Sequence, residues 1–133
     1  MKKYLDANLF IYPILKDDEK ADKHKRAIYD LASGVYEGVT SILTWDELAF
    51  VVRKFLGKDI AIKESAKFLK MPNLIFVDAS KNIIRKAQEL IETYKLKPRD
   101  AIHVATAIFQ GCTEFISDDS DFDVIKEIKR ISI

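Results

Sequence analysis

Residues 115–123 read FISDDSDFD. The stretch closes an apolar run, TEFIS, and then sets Asp118, Asp119, Asp121 and Asp123 almost side by side. Like charges at that density repel one another. Either they form a solvated turn that caps the DFDVIKE segment, or a cation belongs among them. The spacing of Asp119, Asp121 and Asp123 fits the opening of a calcium loop. Such a loop needs Gly at its sixth position and Glu at its twelfth, and here those are Val124 and Arg130. An EF-hand is therefore excluded.

Working outward, short strand patterns alternate with helical ones. KKYLD, GVTSI, NLIFVD, TEFIS and KRISI read as strands. NLFIYPILK reads as a helix that Pro13 should kink or shorten. EKADKHKRAIYDLAS, DIAIKESAKFLKM, SKNIIRKAQELIETYK and PRDAIHVATAIFQG read as further helices, and DFDVIKE as a short one. TWDELAFVVRKFL is apolar on most sides, which predicts a buried helix. Gly34, Gly57 and Gly111 stand where left-handed residues would close helices. The alternation predicts an α/β sandwich around a mostly parallel, short-stranded sheet flanked by helices.

The bulk numbers set bounds on the rest. The chain has 133 residues, 48% of them hydrophobic and 32% charged, which predicts a single domain over residues 1–133 with a substantial core. Formal net charge is +1, so any nucleic-acid partner must be held by local patches. Cys112 is the only cysteine, which excludes an intrachain disulfide and fits a reducing compartment. Asp6 and Asn8 break the first apolar run, and no run approaches a membrane span. The expectation is a soluble, cytoplasmic protein that does not engage a membrane.

In parallel α/β sheets, ligands bind beyond the carboxyl ends of the strands, near the topological switch point. Asp6 ends the first strand, and the aspartate cluster ends the TEFIS strand. Glu47 sits on a helix beside Phe50 and Val51, and Asp100 opens the tightly patterned AIHVATAIF. Each acid has a structural explanation of its own. Asp6 or Asn8 can cap a helix, Asp100 suits a helix dipole, and Glu47 can pair with a cation. Together they place two acids at strand ends and two at poorly solvated helix positions, which argues for a joint purpose.

The stretches LDANLF (5–10), TSILTWDEL (40–48), KPRDAIHVATA (97–107) and FISDDSDFD resemble the four signature segments of PIN-domain nucleases, in order and over essentially the whole chain. The resemblance is nearest to VapC-type toxin ribonucleases of toxin–antitoxin pairs. It implies a PIN-like three-layer sandwich. It also implies a carboxylate site of Asp6, Glu47, Asp100 and Asp119 that is both catalytic and metal-binding. Asn8, Ser117, Asp118 and Asp121 would support it. The implied cofactor is Mg²⁺, with Mn²⁺ as a substitute. The implied activity is hydrolysis of RNA phosphodiesters. The implied partners are a small antitoxin, whose tail would cover the acidic groove, and a second copy of the chain. NLFIYPIL or the helix carrying Trp45 are candidate dimer faces.

Hard cations such as Mg²⁺ favour oxygen ligands and keep several waters, so this chemistry suits clustered carboxylates. Arg99, Lys63 and Lys67 are candidates for holding phosphates. His103 shares a helix face with Asp100 and reads as a structural hydrogen-bonding histidine before a general base. His24 lies in a lysine-rich stretch expected to be exposed. Cys112 reads as a small packing residue. Other functional readings are an RNA-processing nuclease without a toxin role, a non-catalytic PIN-like binding module, and a haloacid-dehalogenase-type phosphatase. The phosphatase requires an aspartate two residues after its nucleophile, where this chain has Asn8.

Overall fold

Five short strands form one sheet in the computed structural model, which describes residues 1–133. They are β1 (Lys2–Leu5), β2 (Glu37–Ser41), β3 (Leu74–Val77), β4 (Glu114–Ile116) and β5 (Lys129–Ile131). Every pairing is parallel, and the spatial order is β3-β2-β1-β4-β5. The helices are α1 (Ala7–Leu15), α2 (Glu19–Ala32), α3 (Leu43–Leu56), α4 (Lys58–Leu69), α5 (Lys81–Thr93) and α6 (Pro98–Phe109). A 3₁₀ turn covers Ser120–Val124. The predicted sandwich is therefore present, with a sheet that is wholly rather than mostly parallel.

Strand side chains alternate between faces, and that alternation creates the layers. Tyr4, Val39 and Phe115 point into a core completed by Ile83, Ala87 and Leu90 of α5 and Ala101, Val104 and Ala105 of α6. Leu5 and Ile116 point to the opposite core, with Leu9 and Phe10 of α1, Leu31 of α2, Leu48 and Val52 of α3 and Phe68 of α4. Gly38 of β2 lets that second core pack closely against the strand. A Cβ there would stand 2.8 Å from both Leu31 Cδ1 and Leu5 Cδ1.

Local signals set the helix ends. Asp18 and Ser80 cap α2 and α5 by accepting from the backbone N–H of Ala21 and Ile83. Pro98 occupies the first turn of α6, where its missing N–H costs nothing. Gly34, Gly57 and Gly111 adopt positive φ of 78°, 93° and 69° just beyond α2, α3 and α6.

Two expectations need correction. The helix expected to be buried, α3, buries only Thr44, Leu48 and Val52 and leaves Phe50 and Phe55 59% and 63% exposed. Its apolar residues run around the helix, whereas α1, α4 and β2 cover one side. Pro13 lies inside α1, which stops two residues later at Leu15. The expected DFDVIKE helix is only the 3₁₀ turn, ending at Val124. No helix is long and apolar enough to cross a membrane.

The chain runs from β1 outward to β2 and β3, then crosses back to β4 and β5. The direction of winding thus reverses between β1 and β4. Leu5 pairs with Ile116 in register, so Asp6 and Ser117 emerge side by side at that reversal.

Candidate active site

Asp6 follows β1 directly and caps α1, its Oδ1 accepting from Ala7 N at 2.8 Å. Its other oxygen, Oδ2, accepts from Ser117 Oγ at 2.8 Å. Ser117 is buried and also accepts from the N–H of Asp119 at 3.1 Å. One serine therefore joins the ends of β1 and β4 and orients the turn that carries Asp119. Asp119 Oδ1 caps the 3₁₀ turn by accepting from Asp121 N at 2.9 Å. No hydrogen bond occupies its second oxygen.

Glu47 arrives from α3. The start of that helix is tied to the carboxyl ends of the central strands through Thr40, whose Oγ1 donates to Leu5 O at 2.9 Å and lies 2.6 Å from Thr44 Oγ1. Glu47 Oε1 accepts from His103 Nε2 at 2.6 Å. Behind the imidazole, Tyr4 Oη lies 2.5 Å from Nδ1, and Ser41 N donates to the same phenol at 3.0 Å. Asp100 stands in the first turn of α6, half-buried and without a hydrogen-bond partner.

The electrostatics couple these groups. Burial raises the Asp6 carboxyl above its ordinary value, against the pull of His103 and Ser117. Burial, then the charge on Asp6, pushes Asp100 up to about 6, with Asp119 and Glu47 adding to the effect. Burial disfavours charge on His103, but its bond to Glu47 and the surrounding carboxylates outweigh that and raise its pKa. Asp6 and Asp100, whose ionised forms burial and then neighbouring carboxylates disfavour, are poised to gain from a cation. No three of the acids and imidazoles converge closely enough to enclose an ion unaided. An ion that retains several waters does not need such a closed shell.

The four aspartates of residues 118–123 divide between tasks. Asp123 is gripped by Arg130 of β5, from Nε to Oδ1 at 2.6 Å and Nη2 to Oδ2 at 3.1 Å. The same guanidinium donates from Nη1 to Ser117 O at 3.1 Å. Asp118 accepts from Ile133 N at 2.9 Å and faces His24 Nε2 at 3.8 Å and Lys20 Nζ at 4.0 Å. Asp121 is exposed, and its side chain has no partner. Asp119 alone is left linked through Ser117 to Asp6.

His24 is a further correction. It is fully buried, stacks on Tyr12 with centroids 4.9 Å apart, and donates from Nδ1 to Lys20 O at 2.7 Å. Lys20, one turn earlier on the same face, stays half-exposed while its ammonium lies over the Tyr12 ring at 4.8 Å. Asn8 is exposed and makes no bond to Asp6, so its expected support is not visible as a contact. Arg99 reaches Asp46 at 3.9 Å, both side chains largely exposed. Lys63 and Lys67 lie on the solvent side of α4, and no ion pair ties them to the acids. Lys67 instead borders an apolar groove with Phe10, Ile14 and Phe68. Tyr4 and Arg130 were not singled out in the sequence. Strand alternation points Tyr4 inward beside the acids, whereas nothing local marks Arg130.

The PIN domain family profile matches residues 3–128. The chain belongs to the PIN domain family. Among solved structures, this PIN domain is similar to the VapBC2 complex of Rickettsia felis bound to promoter DNA. The TM-score is 0.77 at 19% identity, covering 99% of this chain and 98% of that one. It is also similar to Mycobacterium tuberculosis VapC20, a toxin that cleaves the sarcin–ricin loop. That match has a TM-score of 0.75 at 16% identity, with 95% of each chain covered. DNA-bound VapBC from Salmonella typhimurium gives 0.75 at 18% identity, with 99% and 98% covered. At these identities the likeness establishes the PIN fold. No curated protein sequence matches.

Proposed function

We propose that this PIN domain protein is a metal-dependent endoribonuclease and the toxin of a toxin–antitoxin pair. The observation that carries the reading is the placing of Asp6, Glu47, Asp100 and Asp119 around the sheet's switch point, near enough that the charges of the other three add to burial in raising Asp100 to about 6. The similar structures add support, since they include VapBC complexes and a VapC toxin named for cleaving the sarcin–ricin loop.

The donor set suits Mg²⁺ or Mn²⁺, with Asp6, Asp100, Asp119 and Glu47 as the residues that would hold it. When bound, such an ion supplies activated water and charge stabilisation for in-line attack on a phosphodiester. The chain's own residues prepare the site. Ser117 and the Ala7 N–H fix both Asp6 oxygens. His103 holds Glu47. Asp119 keeps an oxygen free, oriented by the 3₁₀ turn. Arg99 is bound only at long range to Asp46, so it is available to a phosphate at the rim.

The deciding experiment is cleavage of a long single-stranded RNA with Mg²⁺, Mn²⁺ or EDTA, comparing wild type with Asp6→Asn. Cleavage that requires metal and is lost in the variant supports the nuclease. Activity that survives both EDTA and the substitution would sink it. The proposed partners are a small antitoxin and a second copy of the chain. Co-expression with the product of a neighbouring small gene tests the toxin role, and failure to recover a complex counts against it.

A further inference from the structure

Glu47 differs from the other acids in how it is held. Asp6 receives hydrogen bonds on both oxygens and Asp119 is fixed by its own turn, but Glu47 has a single hydrogen-bond partner, His103. It is also the longest of the four acids, with the most side-chain freedom to lose on ordering. The partner is itself constrained. Its ring is 1% exposed and meets the Tyr4 ring edge-on, with centroids 5.7 Å apart at 64°. Tyr4 is stacked against Phe115 at 4.9 Å and 15°, which prevents the phenol from swinging away.

The two ends of the chain of hydrogen bonds have fixed directions. The Ser41 N–H can only donate, and it donates to Tyr4 Oη at 3.0 Å. A carboxylate can only accept, so Nε2 of His103 carries a proton toward Glu47. In the neutral ring the phenolic O–H is then directed at Nδ1, which lies 2.5 Å away. Four groups from β2, β1, α6 and α3 are thereby satisfied in sequence, all beneath the site.

We infer that His103 is the positioning residue for Glu47, and that Tyr4 fixes its ring so that Nε2 faces the carboxylate. The functional consequence rests on the nuclease reading, while the positioning itself does not. Metal-binding sites commonly orient an acid or imidazole through a second group in this way, and removing that group costs about 10–100-fold in metal affinity or activity.

The test compares wild type with His103→Gln, His103→Asn and Tyr4→Phe. A glutamine amide nitrogen reaches the place of Nε2, whereas an asparagine amide reaches only that of Nδ1. The expected result is that His103→Gln holds Mn²⁺, read by isothermal titration and by the rise in melting temperature, nearly as wild type does. His103→Asn should lose about tenfold in affinity, and Tyr4→Phe should fall between them. In the metal-free protein, ¹⁵N-imidazole NMR should show a proton on Nε2 of His103 that shifts in Glu47→Gln. A ring protonated at Nδ1 alone would overturn the inference. So would Asn and Gln variants that lose Mn²⁺ affinity together, in step with their metal-free melting temperatures. If wild type binds Mn²⁺ but cuts no RNA, the nuclease reading fails while the affinities and the spectrum still decide the positioning. If it binds no Mn²⁺, the spectrum alone decides it.

Discussion

Arg130 holds Asp123 through two parallel hydrogen bonds, at 2.6 and 3.1 Å, and with its third nitrogen holds Ser117 O at 3.1 Å. A cation does sit among the crowded aspartates, and it is a side chain. Arg130 lowers the Asp123 carboxyl below its usual range and anchors both ends of the turn that presents Asp119. It thereby separates the structural acid from the acid available to a ligand.

Arg130→Met keeps the length of the side chain and removes the clamp. It should lower the metal-free melting temperature by a few degrees and weaken Mn²⁺ binding several-fold, because the Asp119 turn loosens. Arg130→Lys, a point charge without the planar fork, should restore only part of the loss. Thermal melts with and without Mn²⁺ check this. Unchanged Mn²⁺ affinity in Arg130→Met would show that the turn is held without it.

Asp100 has no hydrogen-bond partner to lose, and its ionised form is opposed by burial and by Asp6. Asp100→Asn should therefore stabilise the metal-free protein at pH 7, by about 1 kcal/mol once solvent screening of this half-exposed group is allowed for. Under the proposed metal-dependent nuclease function, the same variant should lose most of the metal-induced rise in melting temperature, and RNA cleavage should fall by a factor on the order of 100. Denaturant unfolding in EDTA and in Mn²⁺ separates the two effects. A destabilised metal-free variant would count against repulsion among the acids.

The pH dependence follows from the same shifts. Asp100 titrates near 6 in the folded protein against 3.8 unperturbed, so its contribution to stability is complete below 3.8 and lost as pH rises through about 6. Asp6 is also raised, and His103 is raised from 6.5, so both act with the same sign. Metal-free protein should thus melt at progressively lower temperature from about pH 4 to pH 7. Below 3.8 the trend reverses as Asp18 and Asp123, whose carboxyls are lowered, become protonated. Saturating Mn²⁺ should flatten the fall, because it stabilises the ionised acids. Melts across this range in EDTA and in Mn²⁺ provide the comparison.

Phe122 is 1% exposed and packs 4.6 Å from Phe115, which in turn stacks on Tyr4. This column lies under β1, β4 and the 3₁₀ turn. Phe122→Ala should cost about 3–5 kcal/mol by leaving a cavity there, and Phe122→Leu distinctly less. Chemical denaturation measures the loss. A cost below about 1 kcal/mol would mean that the turn is not anchored by its aromatic residue.

Local signals in the chain determined much of this protein. Strand and helix periods, helix-closing glycines and strand-end acids carry their information over a few neighbouring residues, because alternation and capping are local geometry. Those signals pointed to the α/β sandwich and to Asp6, Glu47, Asp100 and the aspartates of residues 118–123 as one group, and the resemblance to PIN-domain nucleases singled out Asp119 among them. Tertiary structure decided what depends on distant partners. Arg130 finds Asp123 through strand pairing. His24 turns from an expected surface residue into a buried one because Tyr12 of α1 and Asp118 close over it. Tyr4 reaches His103 only once α6 packs on the sheet. The assignment of four neighbouring aspartates to different tasks belongs to this second class. Their chemistry is identical in sequence, and only the cations, N–H groups and carboxylates brought up by the fold make them different.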